Sequence, residues 1–177
     1  QGEQIRLISP AVPWQHVRQI GEDFCAGDML VSSGTILTPA LMGILAAGGV
    51  SEIEVFRQPR ITLIPTGDEI IPATAEPQPG MIPDFNTTVY GAALEADGAV
   101  VTVTPIIPDD REKLQAALAK ALEISDIVIL LAGSSAGRDD LTVSTISAQG
   151  EVILHGIAIR PGKPAVLGLC RQKPVIG

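Results

Sequence analysis

The chain has 177 residues, of which 46% are hydrophobic and 18% are charged, so it can bury a core and is not an intrinsically disordered protein. Its 12 Lys and Arg residues against 20 Asp and Glu residues give a net charge of −8, which argues against a nucleic-acid-binding protein, since such proteins present a basic face to phosphates. Aromatic residues make up only 3% of the chain, as is typical of an α/β protein rather than an aromatic-packed β-sandwich.

Residues 1–59 differ from the rest and are predicted to form part of a small β-rich domain with a linker. Short strands joined by glycine turns are predicted at residues 18–24, 26–37 and 52–56. Pro39 is expected to begin a short apolar helix that ends at Gly48 or Gly49, because proline suits the first helical position and glycine suits the end.

From Arg60 onward the pattern changes to alternating strands and helices. Strands are predicted at residues 61–65, 99–104, 126–131, 152–159, 165–169 and 173–177. Helices are predicted from residue 84 or 86 to about 97, from 109 to about 124, and in a short stretch after 140. Repeated β-loop-α units indicate a mostly parallel sheet that is covered on both faces.

The chain carries no sign of secretion, membrane insertion or a cysteine-based site. No signal peptide is recognisable, and the most apolar run, residues 127–132, is too short to span a bilayer, so we expect a soluble cytoplasmic protein. Cys25 and Cys170 lie in no CxxC or Cys/His cluster and are interpreted as small apolar residues. Because the chain lacks a first Met and stops within an apolar stretch, we expect it to be an excised piece of a longer protein.

Polar loops follow the predicted strands, at residues 66–69, 108–110, 133–140 and 160–164. Ligands of open α/β sheets bind beyond the carboxyl ends of the strands, so we expect these loops to line a ligand pocket. Acidic pairs occur in three of them, at residues 68–69, 109–110 and 139–140, and carboxylates are ligands for Mg²⁺. The alternative is that each pair only caps a helix.

Two further features suit a phosphorylated ligand. The loop from Gly133 to Gly137 can wrap a phosphate with its backbone N–H groups, although it matches neither GxGxxG nor a P-loop and such loops are often simple turns. Lys163, held between prolines after a glycine, is either an anion anchor or a solvated lysine. No Ser-His-Asp, Cys-His or GxSxG arrangement is present, so the pocket favours a phosphorylated small molecule with Mg²⁺ over acyl transfer.

Five motifs occur in one order along the chain: Pro65-Thr-Gly-Asp-Glu69, Asp84-Phe-Asn86, Pro108-Asp-Asp110, Ala132-Gly-Ser-Ser-Ala-Gly-Arg-Asp-Asp140 and Pro161-Gly-Lys-Pro164. Together they resemble the molybdopterin molybdenumtransferases, which are related to the E domain of gephyrin, and the resemblance begins at about Gly21. It implies that residues 60–177 form a C-terminally truncated, three-layer α/β molybdopterin-binding domain, and that residues 1–59 belong to neighbouring domains.

The resemblance also implies an activity. Enzymes of this family insert molybdate into adenylated molybdopterin with Mg²⁺ and release AMP, and they are homodimers. Two alternatives stay open. The first is molybdopterin adenylyltransferase, since that enzyme shares the domain; the second is a non-catalytic module that binds or senses molybdopterin.

Site residues are carried over from the matching motif positions. The residues expected to be catalytic are Glu69, Asp109 and Asp140. The residues expected to hold metal are Asp68, Glu69, Asp110 and Asp140. The residues expected to bind the molybdopterin substrate are Thr66, Gly67, Asn86, Gly133, Ser134, Ser135, Gly137, Arg160, Pro161, Gly162 and Lys163.

This sequence departs from the family at the phosphate-side motifs. The family usually reads Gly-Gly-Val-Ser where this chain has Ala132-Gly-Ser-Ser. Two lysines of the family correspond to Gly156 and Arg160 in this chain. Arg160 keeps the positive charge but Gly156 does not, which motivates the sensing alternative.

Overall fold

The computed structural model describes residues 2, 4–6, 8–76, 78–132, 141–160 and 162–177. The chain divides into two compact units, Gln1–Val55 and Phe56–Gly177. In the first unit, helix α1 spans Pro39–Ala47, as predicted. The hydroxyl of Thr38 caps it by accepting the backbone N–H of Leu41 at 3.3 Å.

The strands predicted before Arg60 were wrong, because the described residues up to Pro59 contain no strand. Between residues 18 and 37 the backbone hydrogen bonds of the described residues join residues three apart, as in the bond from the Glu22 N–H to the Gln19 carbonyl at 3.1 Å. An apolar, glycine-punctuated pattern becomes a strand only where a neighbouring strand pairs with its backbone, and here the backbone makes local turns instead. The expected domain boundary at Pro59 stays a prediction.

The second unit contains a six-stranded sheet, whose strands are β1 (Arg60–Thr66), β4 (Val100–Val103), β5 (Ile127–Ala132), β6 (Gly150–His155), β7 (Val166–Cys170) and β8 (Lys173–Ile176). Their order in the sheet is β4-β1-β5-β8-β7-β6. The pairs β4/β1, β1/β5 and β5/β8 are parallel, while β7 is antiparallel to both of its neighbours. The predicted mostly parallel sheet is confirmed.

Among its described residues, this unit also contains three helices and a small second sheet. The helices are α2 (Asn86–Ala96), α3 (Arg111–Ile124) and α4 (Leu141–Gln149). Strands β2 (Ile70–Ile71) and β3 (Ile82–Pro83), which were not predicted from the sequence, form a separate parallel pair. No helix in the described part of the chain is long and apolar enough to cross a membrane.

Helices cover both faces of the sheet, which gives three layers. Leu63 of β1 faces α2, since a Cβ added at Gly91 of that helix would lie 4.0 Å from Leu63 Cδ1. Its neighbour Ile64 points to the other face and joins the main core of buried side chains from α3, α4, β5, β7 and β8: Leu114, Leu118, Ala121, Leu122, Val128, Leu130, Ile146, Val166, Cys170 and Val175. Burial of β1 on both faces is typical of a central parallel strand.

Candidate functional site

The predicted loops lie at one edge of the sheet, the one formed by the carboxyl ends of its parallel strands. The parallel strands β4, β1 and β5 end there, and β6 ends there too, because the antiparallel β7 restores its direction. Residues 66–69, 104–110, 156–160 and 162–165 therefore lie along the same edge, where α/β proteins bind their ligands.

The turn after β1 is closed by a buried glycine. Gly67 has φ +145°, and its N–H donates to the carbonyl of Ile107 at 3.1 Å. A Cβ at this position would lie 2.8 Å from Cγ1 of Ile70 and 3.1 Å from Oε2 of Glu69. The turn therefore requires glycine on both steric and conformational grounds, and it folds the carboxylate of Glu69 back against the backbone.

Asp109 is held at the end of β1 although it follows β4 in the chain. The backbone N–H of Ile107 donates to the Pro65 carbonyl at 2.9 Å, so the segment after β4 continues alongside β1. Beyond it, the N–H of Asp109 donates to Oδ1 of Asp68 at 3.1 Å, and the buried hydroxyl of Thr66 donates to the Asp109 carboxylate at 3.4 Å. The structure thus brings together three of the predicted site residues.

Asp110 caps helix α3. Its Oδ1 accepts the backbone N–H of Lys113 at 3.0 Å, and its Oδ2 lies 3.8 Å from the Lys113 ammonium. The bond from that N–H holds the pKa of Asp110 below its ordinary value, although desolvation opposes the shift. The carboxylate takes the helix-cap role that was the alternative to metal binding.

A cleft of about 650 Å³ opens beside this cluster. It is lined by Pro65, Gly67, Asp68, Ile70, Pro72, Ala73, Asp84, Thr87, Thr88, Thr104, Pro105, Ile106 and Pro108. The β2/β3 pair holds the segment before α2 against the turn after β1, because the N–H of Ile82 donates to the Glu69 carbonyl at 2.8 Å. Asp84 then caps the first turn of α2 by accepting the N–H and the hydroxyl of Thr87 at 3.1 and 2.7 Å.

The sequence reasoning missed three threonines of this cleft: Thr87, Thr88 and Thr104. No motif marks them, and only their positions after the Asp84 cap and at the end of β4 could have indicated them. Asn86, predicted to bind the substrate, is the half-buried first residue of α2. It is not among the described residues that line the cleft.

The loop with Lys163 lies at the same carboxyl edge of the sheet but next to β6 and β7, far from the turn after β1. The N–H groups of Gly156 and Ile157 donate to the carbonyls of Ala165 and Lys163 at 2.8 and 2.9 Å, so this loop extends the β6/β7 hairpin. Strands β7 and β6 are three and four positions from β1 in the sheet, about 15–20 Å at the usual strand spacing. Gly162 and the exposed Arg160 lie in the same loop, so the predicted anion-binding residues are not adjacent to Asp109.

Strand β6 is shorter than predicted and ends at His155 instead of residue 159. Gly156 has φ +82°, a left-handed conformation that breaks the extended backbone. The sequence pattern could not show this, since the apolar residues continue through Ile159.

Within the described ranges, no group of three or more His, Cys, Asp or Glu side chains is placed to hold a metal ion. Asp68 and Asp110 each use one carboxylate oxygen in a backbone hydrogen bond. The described carboxylates therefore form no complete magnesium site by themselves, and an ion bound there would need water or substrate phosphate as further ligands. Seven of the predicted residues lie outside the described ones, so their roles stay predictions: Gly133, Ser134, Ser135, Gly137, Asp139, Asp140 and Pro161.

Comparison with known proteins supports the resemblance read from the motifs. The family described as "Probable molybdopterin binding domain" matches residues 62–177, and the MoeA N-terminal region (domain I and II) matches residues 1–49. Molybdopterin molybdenumtransferase of Haemophilus influenzae is 34% identical over 156 residues, which are 88% of this chain and 39% of that protein. Molybdopterin molybdenumtransferase 2 of Mycobacterium tuberculosis is 31% identical over 180 residues, or 98% of this chain and 44% of that protein.

A solved structure agrees over nearly the whole chain. The crystal structure of a molybdopterin biosynthesis MoeA protein from Pyrococcus horikoshii is similar with a TM-score of 0.81 and 36% identity, over 99% of this chain and 44% of that one. The chain thus spans less than half the length of the relatives that it matches.

Proposed function

Because the chain belongs to the molybdopterin-binding domain family, which its residues 62–177 match, we propose that it acts in molybdenum cofactor biosynthesis, in the insertion of molybdate into adenylated molybdopterin with release of AMP. The proposal rests on the observation that two parts of the chain match two different family models. Residues 1–49 match the N-terminal region of MoeA, and the relatives from Haemophilus influenzae and Mycobacterium tuberculosis, which align with 88% and 98% of the chain, are named molybdopterin molybdenumtransferases.

The edge of the sheet suits an extended substrate. The cleft beside Asp109 has a volume of about 650 Å³, and the Lys163 loop lies about 15–20 Å further along the same edge. We assign the cleft end to the reacting groups and the cationic loop, with Arg160 and Lys163, to the phosphates. Opposite charge and hydrogen-bond donors are what a phosphate requires of its site.

We assign proton transfer to Glu69 and Asp109. When the two thiol groups of molybdopterin bind molybdenum, their two protons and one oxo ligand of molybdate leave together as water, and one water molecule is consumed when the phosphoanhydride bond is cleaved to release AMP. A group that carries protons is needed in both steps. Both carboxyl groups lie at the carboxyl edge, and the bonds from Thr66 and to Asp68 keep Asp109 there. Asp140 is proposed to join them from the neighbouring loop.

Magnesium remains part of the proposal only through the resemblance. Because the described carboxylates form no complete site for the ion by themselves, the proposed proton transfer does not depend on it. Its requirement is tested by measuring AMP release during titration with MgCl₂ and EDTA. The proposal that the natural gene product is a cytoplasmic homodimer rests on the same resemblance, and light scattering and cell fractionation test it.

The direct test is AMP release by the natural gene product supplied with adenylated molybdopterin and molybdate. We expect Glu69→Gln and Asp109→Asn to lower the rate by about 100-fold or more, as for the loss of a general acid or base. Glu112→Gln is the matched control, since this exposed carboxylate lies in the first turn of α3 and shares none of the contacts with the end of β1 that hold Glu69 and Asp109. Normal rates in both site variants would refute the assignment.

A sensing module is the second candidate, because Gly156 stands where the family usually carries lysine. Calorimetry with molybdopterin and with AMP separates the two functions, since binding without AMP release favours the sensor. Molybdopterin adenylyltransferase is less well supported, because the match of residues 1–49 to the MoeA N-terminal region has no place in that alternative. Formation of adenylated molybdopterin from molybdopterin and ATP would favour it.

A further inference from the structure

We propose that Asp68 is a positioning residue that holds Asp109 in place, instead of the metal ligand that its motif suggests; the catalytic part of this inference rests on the proposed function. The contact that carries it joins two strand ends. Oδ1 of Asp68, in the turn after β1, accepts the backbone N–H of Asp109 at 3.1 Å across 41 residues of sequence.

The hydrogen bond between Asp68 and Asp109 lies beyond the last backbone hydrogen bonds that join the segment after β4 to β1. The segment after β4 is fastened to β1 as far as Ile107, whose N–H and C=O bond to Pro65 and Gly67 at 2.9 and 3.1 Å. Asp109 itself is exposed and precedes the helix that Asp110 caps. Asp68 therefore fastens the backbone of Asp109 beyond the last strand bond, and Thr66 holds its carboxylate at 3.4 Å.

The geometry separates two roles for Asp68. Accepting an N–H requires only an oxygen, which asparagine retains in nearly the same place, whereas binding a cation or a proton requires the charge. Asp68→Asn should therefore behave like the unmodified protein, and Asp68→Ala should not. This pair of variants distinguishes positioning from metal binding.

The contact is tested on the 177-residue chain without any substrate. We expect the amide hydrogen of Asp109 to exchange at least about threefold faster in Asp68→Ala, because it loses its acceptor, and at a nearly unchanged rate in Asp68→Asn. Melting temperatures report whether either variant fails to fold. An unchanged exchange rate in a folded Asp68→Ala variant would overturn the inference.

The consequence is tested on AMP release by the natural gene product. We expect Asp68→Ala to lower kcat by about tenfold or more, since small misplacements of a reacting group are costly, with little change in KM. Asp68→Asn should stay within about threefold of the unmodified protein, and neither variant should change the Mg²⁺ concentration at half-maximal rate. An Asp68→Asn variant as slow as Asp68→Ala, or one that needs more Mg²⁺, would overturn the inference.

The hydrogen-exchange measurement and the AMP-release assay test different claims, so one can give a negative result without the other. If the unmodified protein releases no AMP, the proposed function is wrong, and the exchange measurement alone decides whether Asp68 holds Asp109. If AMP is released and Asp109→Asn is inactive, the comparison of Asp68→Ala with Asp68→Asn decides the positioning role.

Discussion

Arg57 donates two hydrogen bonds to the carboxylate of Asp126, at 2.5 and 2.6 Å, across 69 residues of sequence. Asp126 also accepts the backbone N–H of Arg60 at 2.8 Å, so one carboxylate fastens the start of β1 beside the start of β5. The first paired residues of these strands are Ile61 and Ile127. The bonds from Arg57 and then from Arg60 hold the pKa of Asp126 well below its ordinary value of 3.8, although desolvation opposes them.

This pKa shift predicts a pH dependence of stability. Because the folded-state pKa is depressed, the contribution of Asp126 is fully present above its ordinary value of 3.8 and is lost as the pH falls from there through the folded-state pKa. Asp126→Asn should lower the free energy of unfolding at pH 7 and at pH 5, and the difference should shrink at pH 3. Urea unfolding at the three pH values measures it.

Asparagine can still accept the N–H of Arg60, so the comparison isolates the charge of Asp126. Asp97→Asn is the control, because this exposed carboxylate at the end of α2 forms no ion pair with the described residues. A destabilisation by Asp126→Asn that stays the same from pH 7 to pH 3 would contradict the prediction.

A second prediction concerns a buried pair of hydroxyl groups. The side-chain oxygens of Thr62 and Ser125 lie 2.5 Å apart, and the residues are 1% and 2% exposed. Thr62→Val or Ser125→Ala leaves the other hydroxyl unpaired in the core, so we expect each to cost about 1–3 kcal/mol of unfolding free energy.

The double variant provides the check on this pair. Since replacing both partners removes the unsatisfied group, Thr62→Val with Ser125→Ala should cost less than the sum of the single variants. Urea unfolding of the four proteins gives the coupling free energy. Strict additivity would show that the hydroxyl groups do not stabilise each other.

Helix α3 was predicted correctly because the residues that signal it and the contacts that form it lie in the same short segment of the chain. The acidic residues that predicted the start of α3 lie within its own segment, where Asp110 caps the helix and Glu112 is in the first turn. The strands expected in residues 18–37 were wrong because a strand depends on a partner that no local pattern specifies. For the same reason the two-residue pair of β2 and β3 had no recognisable pattern.

The candidate site was predictable only in part. The motif around Gly67 marked the turn correctly, because glycine there answers a local steric need. In the sequence, Asp109 and Asp110 form a single acidic pair. In the structure they differ, because Asp110 caps a helix and Asp109 contacts the end of β1. That difference depends on the residue at which α3 begins, and on a strand 43 residues earlier in the chain, so the sequence could not resolve it.

A third prediction tests the glycine of the turn after β1. Gly67→Ala places a Cβ 2.8 Å from Ile70 Cγ1 and 3.1 Å from the Glu69 carboxylate at a φ of +145°. We expect a loss of about 1–3 kcal/mol of unfolding free energy, together with slower AMP release, because Glu69 must move. Urea unfolding and the release assay measure the two effects.

The matched control for Gly67 is Gly98, in the turn between α2 and β4. Gly98 has φ +90°, but a Cβ there would meet nothing within 4 Å. Gly98→Ala should therefore cost about 1–2 kcal/mol through backbone strain alone and leave AMP release unchanged. If both variants slow AMP release equally, the turn has no special role.

The last prediction concerns Gly156, the position that the motif resemblance matches to a lysine of the family. Gly156 has φ +82°, its N–H donates to the Ala165 carbonyl at 2.8 Å, and an added Cβ would lie 3.5 Å from the Lys163 carbonyl oxygen. A lysine would strain the turn that carries Lys163, at a cost of about 1–2 kcal/mol. We therefore expect Gly156→Lys to lower the melting temperature and not to tighten AMP binding in calorimetry. Gly156→Ala has the same strain without the charge, so tighter AMP binding by the lysine variant alone would show that charge, not backbone conformation, is what this position lacks.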